Sequence, residues 1–521
     1  MVGDGMVRRM SAISREGPPG QTVFMLQRAE EPPGGSQSVR RREETGHDRG
    51  AKGLEESGSV MNTYSENKSA AVEEAGSASF VPFPKQAEDT TAPRWGWVER
   101  SVWTKRMLDR LETSEARTVC YSLWDKVCAE DNLHQGALEV ILNRGSAGVE
   151  GQTTEQFKTQ WSEQIAWLGK ELMEGRYQPQ AGRRVWIEKL GSPDKRPLGI
   201  PAVRDRVVPA ALRHVLEPIF ERDFAEQSYG FRPGRGCLGA RRRVEELMLD
   251  GDTWVVDADF RSYFDTLPHD RLLALVKERV ADGRVPALLE SFLKAGVLES
   301  GKEWEPTEGG TPPGGVISPL LANLDLNPLD HVMVAAGWEM VRFADDLVIL
   351  CRTQSQAHAA LAQLSAWASQ TGLTLHPTKT RIVNAAEAGG FDFLGYHFER
   401  YRDGSGKKWF RKKSEQKLRA SLRGKTRRQR EGSLGDIIAP VNPTLKGWYG
   451  YCRYSAGGAL AGVDSWVRRR LRSIQRWRWG RKGSRRGREN VAMPNAWFAA
   501  AGLFSLENAR RQMVPILRRS H

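Results

Sequence analysis

Two stretches of the chain, "TWVVDADF" (253–260) and "RFADDLVILC" (342–351), are apolar and β-prone except where carboxylates interrupt them. Near-continuous apolar character over so short a span predicts strands covered on both faces, and the second should pair with what precedes it at "GWEM". By contrast, "QAHAALAQLSAWASQTG" (356–372) repeats its apolar residues at helical spacing and stops on Gly372. The Leu/Val spacing of 105–142 also predicts helix. Short strands joined by Gly/Pro turns are expected in "RRVWIEKLGSPDKRPLGIP" (183–201), then helix over 203–225 and again over 268–298. After "FDFLGYHF" (391–398) the pattern becomes basic, helix-compatible and studded with Trp. Residues 1 to about 95 carry no sustained apolar period and are rich in Gly, Ser, Glu, Pro and Arg, which predicts disorder. Met61, after an especially featureless part of that region, is a candidate start of translation; a native peptide from before it would refute this.

Composition adds a polarity to this order. The 521 residues suffice for two or three domains and hold 78 Lys and Arg against 64 Asp and Glu, a formal net charge of +14. Residues 401–521 contain 30 basic and 7 acidic residues, a charge of +23 that leaves about −9 on the first 400. The C-terminal part is therefore the expected polyanion-facing surface. The five cysteines form no C-x-x-C pair and the nine histidines no H-E-x-x-H spacing, so neither a disulfide framework nor a zinc site is expected. No apolar run has the length of a membrane span, and a cytoplasmic protein with no membrane partner, nucleoid-associated during any action on DNA, is expected.

The carboxylates in the apolar runs are the candidate chemistry. Asp345 and Asp346 could mark only a tight hairpin. The functional reading is a divalent metal site, because Mg²⁺ prefers carboxylate oxygens completed by substrate phosphates, and two such ions can serve the attacking and leaving oxygens of a displacement. The other strand offers Asp257, Asp259 and Asp265; the two-residue strand period puts Asp257 and Asp259 on one face and does not choose between them. Nucleotides are the natural substrates of such a cluster.

At this point the sequence resembles a known family. "DADFRSYFD", "GGTPPGGVISPLLANLDL", "RFADDLVIL", "GLTLHPTKTRIV" and "FDFLGYHF" occur in the order and at roughly the spacing of reverse transcriptase palm motifs. "RPLGIPAVRDRVV" with "LEPIFERDFAEQSYGFRPGRG" is similar to the fingers of the group II intron-encoded branch, and "NRGSAGVEGQT" (143–153) to its N-terminal extension. The resemblance implies an α+β right-hand polymerase with fingers, a palm built on an antiparallel sheet and a helical thumb. It implies Asp259, Asp345 and Asp346 as the catalytic triad holding two Mg²⁺ (Mn²⁺ a possible substitute), with the backbone of Phe260 beside the metal and Asp257 a neighbour. Lys189, Arg196, Phe264, Gly314 and Lys379 match nucleotide-binding positions, Phe264 being the aromatic that excludes a 2′-hydroxyl; Gly315 shares the backbone approach of Gly314. Phe393, Leu394 and Gly395 match the hairpin that holds the primer end. Pro313 and Pro209 each stand where the family usually has Gln, Phe343 where Tyr is commoner, and Glu150 where Asp is usual. Pro209, in a predicted helix, is expected to shift only the helix start, whereas Pro313 bears on rate or fidelity.

The basic end extends the resemblance. "NPTLKGWYGYCRYS" is similar to the start of the maturase (X) domain, and "MPNAWFAAAGLFSLENARRQ" (493–512) to the end of endonuclease-lacking members. Arg and Lys interleaved with aromatics suit RNA, and Lys446, Trp448, Tyr449, Arg453, Arg468, Arg469 and Arg470 are the candidate RNA-binding residues. The expected organisation is a disordered 1–95, an N-terminal extension with the start of the fingers over 96–182, fingers and palm over 183–400, thumb/maturase over 401–480 and a basic DNA-binding segment over 481–521. Expected partners are a group II intron RNA, a DNA target or primer and deoxynucleoside triphosphates; oligomeric state is not legible. The implied activity is RNA-directed DNA synthesis with splicing and retrohoming of the intron. Two rivals are a splicing cofactor with a decayed polymerase and a domesticated reverse transcriptase acting in repair or phage defence.

Overall fold

The computed structural model describes residues 12–16, 22–26 and 94–517, apart from 116–117, 189–194, 299–308, 312–314, 388, 401–405, 456 and 481–490. Within the N-terminal stretch expected to lack structure, Ala12–Glu16 (β1) and Thr22–Leu26 (β2) pair antiparallel, Ser14 opposite Phe24. Thr22–Leu26 is an apolar, β-prone run too brief to register as a sustained period. The chain divides into two compact units, Met1–Asp223 with Phe264–Leu321, and Phe224–Tyr263 with Ala322–His521.

The first unit is built around the helix Arg204–Glu221, which packs on Glu130–Leu142 and buries Val207, Val208, Ala211, Leu212, Val215 and Ile219 completely. Gly136 permits the approach, since a Cβ there would lie 2.9 Å from the Val207 carbonyl. Pro209 does not shift the helix start as expected: the helix begins at Arg204 and runs through both Pro209 and Pro218. Pro209 sits one turn in, where a single carbonyl loses its donor, and burial within a largely apolar helix face offsets that loss. Gly182–Glu188 (β3) and Lys195–Ile200 (β4) form an antiparallel hairpin, and the two-residue strand Val297–Leu298 (β6) adds to β3 in parallel.

The second unit carries the two runs that opened the sequence analysis. Trp254–Asp259 (β5), Glu339–Phe343 (β7), Asp346–Cys351 (β8) and Arg381–Asn384 (β9) form one antiparallel sheet in the order β7-β8-β5-β9. Val255, Val341, Val348 and Leu350 pack against Ala240, Val244, Leu247 and Met248 of the helix Cys237–Leu249. The helix Gln354–Gln370 packs on β5 and β8; it starts at a Thr353–Gln356 capping box and ends before Gly372, whose φ of 75° makes the stop. These covers on β5 and β8 account for their near-continuous apolar character. Phe391–Phe393 (β10), Tyr396–Arg400 (β11) and Gly406–Phe410 (β12) form a second antiparallel sheet, and Phe391, Phe393, Tyr396 and Phe398 join the same core. Helices Lys412–Lys425, Val441–Cys452, Gly457–Arg478 and Asn495–Ala500 follow, around a separate core that includes Leu418, Leu445, Val463, Leu471 and Phe498. The result is the α+β fold expected. Among the described residues no helix is long and apolar enough to cross a membrane.

Candidate active site

The β5–β8 register sets Asp259 directly opposite Asp346, and Asp257 opposite Val348. Phe343 pairs with Asp346 across the β7–β8 hairpin, so Ala344 and Asp345 are its two turn residues. Asp259, Asp345 and Asp346 are thus gathered at one end of the sheet. Burial, and then the charges of Asp257, Asp345 and Asp259, push the Asp346 carboxyl up to about 7, with Arg411 opposing. Asp257 is also raised, by burial first, although its Oδ2 accepts from Arg381 Nε at 3.1 Å. Crowding of like charges at a sheet end is costly unless a cation is present.

Lys379 supplies part of that positive charge, pairing through Nζ with Asp259 Oδ2 from an exposed side chain. Its segment is held along the end of β5, where His376 N–H donates to the Asp259 carbonyl at 2.7 Å and Phe260 bridges Leu375. The donor set is all oxygen, which fits Mg²⁺. Among the described residues, however, no three acidic, histidine or cysteine side chains converge closely enough to hold an ion unaided. That too fits Mg²⁺, which usually takes one or two carboxylates and completes its shell with water and substrate phosphates. Asp259 and Asp346, with Asp345 alongside, are the residues that could hold such an ion.

The hairpin is fixed from beneath by residues that sequence reasoning missed. Ala344 has a left-handed φ of 57°, a conformation costing about 1–2 kcal/mol outside glycine. Arg342, wholly buried, holds it there: Nη1 donates to the Ala344 carbonyl at 2.9 Å and to Asn323 Oδ1 at 3.1 Å, and Nε donates to Asp330 Oδ1 at 2.7 Å. Nη2 donates to Asp330 Oδ2 at 2.5 Å, completing a bidentate pair in which both side chains are fully enclosed. Asn323 in turn donates to the Gly230 carbonyl at 2.8 Å. Gly230 lies so close to the turn that a Cβ would sit 2.9 Å from the Phe343 carbonyl carbon and closer still to the Ala344 nitrogen. The available signal was an arginine inside an apolar strand, in the same run as the carboxylates.

Other predicted residues fall in several places. Lys189 and Gly314 lie outside the described residues; Arg196 is in β4, opposite Ile187, and its side chain is not described. Phe264 is half-buried, and its carbonyl accepts from Thr311 N–H at 2.7 Å. Gly310, φ 87°, allows that approach, since a Cβ would be 2.6 Å from the same oxygen. Phe393 is buried in the core, so the hairpin presents its turn, Leu394 and Gly395, rather than the Phe393 ring. Of the RNA candidates, Lys446 and Arg469 are exposed. Trp448 instead packs edge-on to Phe410, with ring centres 4.6 Å apart, and Tyr449 packs on Phe504. Arg470 donates to the Thr426 hydroxyl and carbonyl at 2.6 and 2.8 Å, closing the helix Lys412–Lys425. Arg453 lies over Tyr454, and Arg468 is within 3.9 Å of Asp464.

A sheet of this kind, with carboxylates paired at its end, is compatible with nucleotidyl transfer, and residues 187–398 match the reverse transcriptase (RNA-dependent DNA polymerase) family. Residues 415–491 match the group II intron maturase-specific domain. The chain belongs to the group II intron reverse transcriptase/maturase family. It is 35% identical over 311 residues to protein YkfC of Escherichia coli K12, covering 52% of this chain and 81% of that protein. It is 38% identical over 194 residues to the group II intron-encoded protein LtrA of Lactococcus lactis, covering 37% of this chain and 32% of LtrA. A telomerase structure from Candida albicans superposes at a TM-score of 0.35 and 13% identity over 62% of this chain and 64% of that one, too loosely to carry detail.

Proposed function

We propose that the protein extends a DNA 3′ end on an RNA template at Asp259, Asp345 and Asp346, binds the group II intron RNA that encodes it, promotes its splicing and copies it during insertion into DNA. The observation that supports this most is the cross-strand pairing of Asp259 with Asp346 beside Asp345, where burial and the neighbouring carboxylates push the Asp346 carboxyl up to about 7, a setting that favours a cation. Bound Mg²⁺ (or Mn²⁺) would neutralise the triphosphate and acidify the primer hydroxyl. The 3′-oxygen bonds to the α-phosphorus, the bond to the bridging β-phosphate oxygen breaks, pyrophosphate takes the electron pair and the hydroxyl proton passes to water.

The chain's own residues bind and orient. Asp259 and Asp346 hold fixed positions through the strand register; Arg342, Asn323 and Gly230 fix the turn that carries Asp345. Lys379 has a long, exposed side chain on Asp259 and can turn to the departing phosphates. Lys189, Arg196, Gly314 and Phe264 are assigned to the incoming deoxynucleotide, and Leu394 with Gly395 to the primer end. Exposed Lys446 and Arg469 fit an RNA backbone.

The test joins the two activities. With RNA transcribed from the DNA flanking the gene, the wild type should both accelerate splicing and extend an annealed DNA primer, and Asp345→Ala should abolish extension while leaving splicing. Splicing without extension by the wild type would refute the polymerase half; extension with no effect on any flanking RNA would refute the maturase half.

A further inference from the structure

We propose that Tyr451, in a helix of the maturase-specific domain, is a positioning residue for the primer-holding turn, so that the polymerase's grip on a primer terminus depends on the maturase part of the chain. The inference rests on the assignment of Leu394 and Gly395 to the primer end. Both residues are left-handed, with φ of 44° and 73°, and Leu394 is a poor residue for that conformation. A turn of this kind holds only where its surroundings impose it.

The surroundings here come from outside the hairpin. Tyr451, on the helix Val441–Cys452, donates its hydroxyl hydrogen to the Leu394 carbonyl in a close contact. Glycine at 395 leaves the room it needs: a Cβ would lie 2.9 Å from the Tyr451 hydroxyl and 3.3 Å from Cε1. Arg411 N–H donates to the Gly395 carbonyl at 3.1 Å, and its Nε lies 2.9 Å from Asp392 Oδ2, one residue before Phe393.

Tyr451 is itself held at its backbone. Its carbonyl accepts from Tyr396 Oη at 2.7 Å and from Arg241 Nη1 at 3.2 Å. The buried Arg241 guanidinium lies 3.9 Å from the Tyr396 ring centre and 5.0 Å from that of Tyr451. Burial keeps the Tyr451 phenol well above its ordinary range, so it remains a donor at any working pH. Three elements distant in the chain, namely the helix at Arg241, the hairpin at Tyr396 and the maturase helix, therefore meet at one residue, Tyr451, whose hydroxyl points at the primer turn. Ordinary packing would need the ring; it would not need the oxygen.

The test is Tyr451→Phe in the full chain, which keeps the ring and removes the donor. Binding is measured by fluorescence anisotropy, without nucleotide or turnover, to a recessed DNA primer annealed to RNA and to the same RNA unpaired. The expected result is a Kd for primer–template raised about fivefold or more, the scale of one hydrogen bond, with the Kd for unpaired RNA within twofold of wild type. Equal Kd values for wild type and variant on primer–template, or parallel losses on both ligands, would overturn the proposal. Because the readout is binding, it is independent of whether the wild type polymerises; absence of extension would refute the proposed function and leave this result standing for or against the latch.

Discussion

Removing the Arg342 guanidinium should damage stability and catalysis by separable routes. Arg342 makes its hydrogen bonds to Asp330, Asn323 and the Ala344 carbonyl while 0% exposed, and Asp330 is also 0% exposed. Arg342→Met keeps an unbranched apolar side chain but strands the Asp330 carboxylate without its partner, which for a buried ion pair costs about 3–5 kcal/mol. The double variant Arg342→Met/Asp330→Leu leaves no charge behind, and such replacements are often near neutral, so at least half of the lost stability should return. Activity should not return with it. The Ala344 carbonyl still lacks its donor, and the turn is then free to relax from a conformation costing about 1–2 kcal/mol, a scale that corresponds to roughly tenfold in rate. The assay is urea unfolding of wild type, single and double variants, beside primer extension measured well below each midpoint. A single variant within about 1 kcal/mol of wild type would refute the energetic argument, since a stranded buried charge cannot be that cheap. A double variant with wild-type extension would refute the claim that Arg342 positions the hairpin.

Gly230→Ala should lower extension at least as strongly as Arg342→Met, because its methyl would press on the backbone of Phe343 and Ala344, and a crystal structure or fluorescence probe of the hairpin should show the turn displaced. A variant that extends normally would show that the turn has room to give. The first unit should show an acid limb in its stability. Burial alone would raise Glu139, but its bond to His214 at 2.8 Å and its pairing with Arg213 win, holding the carboxyl at about 2 against an ordinary 4.5. A depressed folded-state value means that the contribution is complete above about pH 4.5 and is lost as pH falls towards 2, up to about 3 kcal/mol in all. Unfolding free energies followed from pH 6 to 2.5 should therefore slope less steeply in Glu139→Gln; parallel slopes would contradict the assignment.

What was legible in the sequence was what broke a pattern. Asp257, Asp259, Asp345 and Asp346 stand out because strands covered on both faces should not carry charge; the family resemblance, not the pattern, prefers Asp259 to Asp257, and the strand register sets Asp259 opposite Asp346 with Asp345 in the adjoining turn. Arg342 breaks the same pattern, yet its meaning depends on Asp330, one helix away and with nothing in its local spacing to mark it as a partner. Gly230 looks like any glycine in a turn-rich stretch; only the backbone that passes over it gives it a reason. The basic end misleads for a related cause. Aromatics among arginines predict stacking surfaces and helical cores equally well, and Trp448 and Tyr449 turn inward to the core while Trp477 and Trp479 remain about half exposed. Pro209 was read through its usual avoidance of helix interiors, which tertiary burial overrides.

The proposed role of Asp259 and Asp346, kept in apolar strands, is phosphoryl transfer. Its most direct test is single-nucleotide addition to a DNA primer on an RNA template with Mg²⁺, by wild type, Asp259→Asn and Asp346→Asn, with primer–template binding measured on the same preparations. The wild type should add the nucleotide, and each isosteric amide should lose at least about a thousandfold in rate, the scale of a main electrostatic contribution, while still binding primer–template. Amide variants that extend within tenfold of wild type would contradict it, because the carboxylate charge would then have no part in the chemistry.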